Sequence, residues 1–171
     1  MKLLKVAVLS LVILASVSAC PMASAGEIKM GYINLGKTFD EYEKTKESDG
    51  ALEKKGDKKE KEREKMVDKI KKLKDEITLL SNKGKEEKQP VIDEKIKKLQ
   101  EFDQEVRNEL KEERDEMVRD ILREIENVIQ DYGKKHGYTT ILNDRVLVYG
   151  DESIDITQDI IDILNKGYKK N

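Results

Sequence analysis

The chain has 171 residues and no Trp, with only two Pro, two Phe, one Cys and one His. One Cys allows neither an internal disulfide nor a Cys-based metal cluster. The single His, His136, leaves no His-based metal site or triad, and beside Lys134 and Lys135 at a helix end it reads as a solvated residue. No phosphate loop, dinucleotide fingerprint or Cys pair occurs. Acids are abundant, but on a highly charged chain neighbouring carboxylates arise by chance and say nothing of acid–base catalysis. The expectation is a protein that is not an enzyme and takes no cofactor or metal. Aromatic residues make up 5% of the chain while charged residues make up 41%, a composition for long solvated helices rather than a thick globular core.

A sustained apolar stripe fills the middle of the chain and argues against disorder. Met66, Ile70, Leu73, Ile77 and Leu80 recur in steps of three and four, and so do Ile92, Ile96, Leu99, Val106, Leu110, Met117, Ile121, Ile125 and Val128. Residues 81–90 between them have no periodicity, and Gly84 and Pro90 suit a helix end and a helix start. The pattern predicts a long antiparallel helical hairpin, the arm, over residues 50–131. Helices over 37–81 and 91–135 would be of equal length and reach roughly 65 Å at ~1.5 Å per residue. Residues 53–65 contain no apolar residue, and Gly50 and Gly56 weaken the helix by about 1 kcal/mol each, so this part is expected to be weakly held. One stripe is thin, and oligomerisation is expected to supply the missing burial.

Charge is unevenly spread over a net −2. Residues 69–98 hold ten Lys against six acids, whereas residues 99–131 hold five Lys or Arg against twelve acids. The hairpin would have a basic tip, where Lys83, Lys85 and Lys88 are candidates for contact with an acidic partner or a membrane surface. A solvated surface without function is the competing reading. The Lys-rich stretch 54–74 is interleaved with Glu and Asp, which speaks against nucleic acid.

Residues 1–25 read as a signal peptide: Lys2 and Lys5, an apolar run over residues 6–15, then Ala23, Ser24 and Ala25 before the cut. Val17, Ser18, Ala19 and Cys20 also resemble a lipobox, in which Cys20 would be lipidated and anchor the chain to a membrane. Both alternatives imply export.

Residues 26–49 and 132–171 would form a β-rich body with a terminal helix. Ile28, Met30, Tyr32, Ile33 and Leu35 suggest a strand, and Asn34 or Thr38 a following helix cap. Residues 138–142 and 146–149 predict a β-hairpin around Asn143 and Asp144. Asp155 or Thr157 would cap a last helix carrying Ile160, Ile161, Ile163 and Leu164. The fold class is thus α+β: a long antiparallel α-helical hairpin on a small β-rich oligomerisation body.

The opening Lys29-Met30-Gly31-Tyr32-Ile33-Asn34-Leu35, the charged hairpin, Gly137-Tyr138-Thr139-Thr140-Ile141-Leu142, Val148-Tyr149-Gly150 and Ile154-Asp155-Ile156-Thr157 together resemble the Skp/OmpH family of periplasmic chaperones. The two ends carry the specific motifs; the middle matches in pattern only. The resemblance implies a homotrimer whose arms enclose a cavity for unfolded outer-membrane proteins, without ATP. It places Ile33, Leu35, Ile141, Leu142, Val146, Val148, Ile156, Ile160 and Leu164 in the body and trimer core. The alternative is a coiled-coil scaffold of the cell envelope, lipid-anchored through Cys20.

Overall fold

The computed structural model describes residues 28–168. Strand β1 (Met30–Ile33) leads into a short helix α1 (Leu35–Glu41), then a long helix α2 (Glu43–Thr78) and a longer one, α3 (Asn82–His136). Strand β2 (Thr140–Asn143) and two single 3-10 turns follow, and helix α4 (Thr157–Gly167) closes the described chain. The signal-peptide expectation and Cys20 lie outside the described residues.

The small sheet is parallel. β1 pairs with β2 in the register Met30 with Thr140 through Ile33 with Asn143, so the whole arm is the crossover between two adjacent strands. On the other side of β1, the Ile156 amide donates to the Tyr32 carbonyl at 2.9 Å, and Tyr32 bridges Asp155. The β-hairpin expected over residues 138–149 is therefore not formed. The Asn143 side chain accepts from the Arg145 amide at 3.3 Å and opens a 3-10 turn at Asp144–Val146, which leads the chain off the sheet. β2 has β1 as its partner instead, and residues 147–150 take no regular structure.

Helix ends follow local chemistry. Asn34 caps α1 by accepting from the Lys37 amide at 2.7 Å. The Ser81 hydroxyl accepts from the Gly84 amide at 3.4 Å and starts α3 nine residues before Pro90. Pro90 thus lies inside the helix, and the expected loop over 81–90 shrinks to a tight turn at Leu79, Leu80 and Ser81. Gly137 ends α3 in the left-handed conformation at φ 72°, with the Tyr138 amide reaching back to the Gly133 carbonyl at 2.9 Å. Asp155 prepares α4: its carboxylate accepts from the Thr157 amide at 2.8 Å.

Helices α2 and α3 run antiparallel. Ion pairs mark the alignment from Lys44–Glu124 near the sheet, through Lys55–Glu109 and Arg63–Asp103, to Glu76–Lys88 near the turn. At ~1.5 Å per residue the 36 residues of α2 span roughly 54 Å and the 55 of α3 roughly 83 Å. The helices are unequal, against expectation, because the chain breaks at Tyr42, where ψ is 124° and the first arm divides into α1 and α2, and because α3 already begins at Asn82. Both long helices also continue past residues 50 and 131 into the body.

The core lies at the foot of the arm. Ile33 from β1, Tyr42 from the break, Ile121 and Ile125 from α3, and Ile156, Ile160 and Leu164 from the C-terminal segment form one buried cluster. Burying each such aliphatic side chain contributes about 1.5–3 kcal/mol. Farther along the arm, only Ile70 and Ile92 among the large apolar residues are buried.

Candidate functional site

The root of the arm is a joint gripped by α4. Tyr42 cannot cap α2 with its own side chain, and Asn165 of α4 does so from outside. Its Oδ1 accepts from the Glu43 amide at 2.8 Å, and its Nδ2 donates to the Glu41 carbonyl at 3.2 Å. One side chain therefore ties the last turn of α1 to the first turn of α2. Tyr168 packs edge-on against Tyr42, with ring centres 5.7 Å apart, and its hydroxyl donates to Glu47 at 2.9 Å. Beneath them, the Tyr42 hydroxyl and Lys44 Nζ both donate to the Glu124 carboxylate, at 2.8 and 2.5 Å. Burial disfavours the charge on Glu124, but these two donors outweigh it and hold the carboxyl below its ordinary range. Burial, reinforced by Glu124, drives the Tyr42 phenol far above its usual value.

A second aromatic group closes the lower end of α3. Tyr132 stacks on His136 at 4.2 Å and on Tyr138 at 5.9 Å, and its hydroxyl donates to Asp159 at 2.5 Å. That hydrogen bond, aided by burial, pushes the Tyr132 phenol up to about 12. Lys29 lies 4.2 Å from the centre of the Tyr138 ring and donates to the His136 carbonyl. Gly31 is required here, since a Cβ on it would stand 2.8 Å from the Tyr138 ring.

The middle of the arm is built differently. Between Leu52 and Met66, α2 offers no apolar side chain. Lys55 pairs with Glu109 at 2.8 Å and with Glu113, Lys59 pairs with Glu109 at 3.0 Å, and Arg63 bonds Asp103 at 2.9 Å. Hydrogen bonds from Lys55 and Lys59 lower the Glu109 carboxyl. Phe102, Val106 and Leu110 of α3 lie half-buried opposite this polar stretch.

The residues expected from sequence separate into three groups. Ile33, Ile156, Ile160 and Leu164 are buried in the core; Leu35 and Ile141 pack against it, and Leu142 is half-buried. Val146 and Val148 are 70% and 106% exposed in the single chain, carried outward by the 3-10 turn. Tyr149, 82% exposed, extends the same surface. At the tip, Lys83 and Lys85 are exposed, whereas Lys88 is held by Glu76 at 3.6 Å. Sequence reasoning missed Glu124, Asn165 and Tyr168, which are dispersed in the chain. The absence of apolar residues over 53–65 did mark the middle of the arm. Among the described residues no group of His, Cys, Asp and Glu could hold a metal ion, and no helix is long and apolar enough to cross a membrane.

A small parallel sheet from which two long charged helices project defines a class of helical-arm proteins. The sequence profile of the outer membrane protein (OmpH-like) family matches residues 29–164, and the chain belongs to that family. Among solved structures, an OmpH-like outer membrane chaperone from Caulobacter crescentus CB15 is similar in fold. Its TM-score is 0.71 at 15% identity, covering 84% of this chain and 88% of that one. No curated protein matches the chain.

Proposed function

We propose that the protein is an ATP-independent holdase of the periplasm. It binds unfolded outer-membrane and other envelope proteins in a cavity between the arms of a homotrimer. The observation that carries this reading is the arm itself: two helices, roughly 54 and 83 Å long, with only two large apolar residues buried beyond the root. Such a surface offers shallow apolar contacts between charges, which suits many unfolded partners better than one folded partner. Binding the unfolded state slows aggregation by mass action and requires no turnover, so the reading includes no catalysis. Family membership supports an envelope location and a chaperone role.

The exposed Val146, Val148 and Tyr149 support assembly through the body, where partner subunits would cover them. Val148→Asp tests this without disturbing the core of the single chain. Native mass spectrometry is expected to give trimers for the unaltered protein and monomers for the variant. A trimer in both would remove these residues from the interface. The intact-chain mass in the same spectrum separates a chain beginning at Gly26 from one beginning at lipidated Cys20.

Function is tested by diluting a urea-unfolded outer-membrane β-barrel protein into buffer without nucleotide and following light scattering. The protein is expected to suppress aggregation at near-stoichiometric amounts. Unchanged scattering would sink the holdase reading and leave the envelope scaffold.

A further inference from the structure

We infer that the cleft between the two arm helices at Gly56 is a seat for an aromatic side chain of a captured chain, flanked in that chain by an acidic residue. The inference rests on the holdase reading and gives it a location.

The cleft has a volume of about 310 Å³ and lies between Gly56, Lys59 and Arg63 on α2 and Phe102, Val106 and Leu110 on α3. Here the stripe of α3 faces no apolar side chain of α2, because residues 53–65 of α2 carry none. Gly56 leaves the floor open: a Cβ built on it finds its nearest neighbour, Leu110 Cδ1, 4.0 Å away. Apolar surface of α3 is therefore left half-covered here with no apolar partner from α2, and an inserted ring would remove it from water.

The rim selects the neighbour of that ring. Arg63 is engaged by Asp103 and Glu60, and Lys59 by Glu109. Arg107 also lines the cleft, is exposed, and has no ion-pair partner among the described residues. A free guanidinium beside an apolar floor favours a carboxylate and can also stack on an aromatic face. Lys59 Nζ, 6.0 Å from the centre of the Phe102 ring, adds to the positive side of the cleft. The wider hollow on the acidic face of α3, between Glu101 and Glu112, is lined by polar and charged side chains only and offers no such floor.

The test uses the full mature protein and a dansylated Gly-Ser-Phe-Asp-Gly-Ser peptide, with Phe→Ala and Asp→Lys versions as controls. Fluorescence anisotropy reads affinity, and 13C-methyl signals of Val106 and Leu110 report occupancy. The Phe-Asp peptide is expected to bind about tenfold more tightly than the Ala version. Gly56→Leu, which fills the cleft and favours helix, is expected to raise arm stability and weaken the peptide about tenfold. Arg107→Gln, on an exposed residue, is expected to abolish the preference for Asp over Lys and leave the fold unchanged.

Equal affinity of Gly56→Leu and unaltered protein, or an Asp preference that survives Arg107→Gln, overturns the inference. Methyl shifts that depend on protein concentration without peptide would assign the cleft to a second copy and overturn it too. Suppression of aggregation by the unaltered protein separates the two levels. If it fails, the holdase reading fails. If it succeeds and Gly56→Leu leaves both peptide binding and suppression intact, only the cleft is lost.

Discussion

The root of the arm and its middle are made from the same two helices but held by opposite means. At the root, Tyr42, Ile121 and Ile125 meet Ile156, Ile160 and Leu164 in a buried cluster, and the Tyr42 hydroxyl and the Glu43 amide beside it are partnered. In the middle, lysines and an arginine of α2 reach half-exposed acids of α3 over a stripe that is apolar on one side only. Buried aliphatic contact is short-ranged and hardly depends on salt, whereas exposed ion pairs contribute little and are screened. The molecule thus fixes where the arm begins and leaves its middle loosely held. That combination suits an arm that adapts along its length while its root stays anchored in the body.

The most direct way to break this contrast is a matched pair of truncations. Ile125→Ala at the fully buried root is expected to cost about 2–5 kcal/mol in denaturant unfolding. Leu110→Ala, half-buried opposite Gly56, is expected to cost clearly less. Equal losses would mean that the middle is as well packed as the root.

A smaller effect probes the joint. Tyr42→Phe removes one of two donors to Glu124 and is expected to cost about 1 kcal/mol. Asn165→Ala frees the Glu43 amide, and hydrogen exchange there is expected to quicken while amides around Ile125 keep their protection. Uniform acceleration along the arm would show that α4 does not act locally.

Alkali gives a third probe. The Tyr132 phenol titrates higher in the folded protein, near 12, than its ordinary value of 10.0. The folded state therefore holds that proton more tightly, and the stabilisation is complete below pH 10 and is lost as pH rises toward 12. Melting temperature is expected to fall over that window, and less steeply in Tyr132→Phe. The same slope in both proteins would remove the Asp159 contact as its cause.

Salt should have the smallest effect, confined to the middle. Raising it from about 0.05 to about 0.5 M is expected to speed hydrogen exchange over residues 53–65 and leave the root unchanged. Equal response in both regions would erase the distinction.

Long-range pairing explains which parts were legible in sequence. The two helices were, because their signal is local: Ile70 and Ile92 sit buried on the stripes that spacing predicts. Asn34, Asp155 and Gly137 also act within a few residues of themselves, as their types suggest. The strand pairing was not legible. Thr140–Asn143 has β-forming residues followed by a turn signal, which describes a hairpin equally well. Its actual partner lies more than a hundred residues earlier, at Met30–Ile33. Pro90 misled for a related reason: it marks a favourable start, but the Ser81 cap had already begun the helix.

The sequence by itself determined the period and charge of the arm, because amphipathic patterning depends on residues three and four apart. It also marked residues 53–65 as lacking apolar partners, since composition alone carries that information. Only the tertiary structure decided that the sheet is parallel and that Val146 and Val148 face outward. Asn165, a residue without any motif, emerged as the clasp of the arm in the same way. Those outcomes depend on groups brought together from opposite ends of the chain, and local preference cannot choose among partners at that distance.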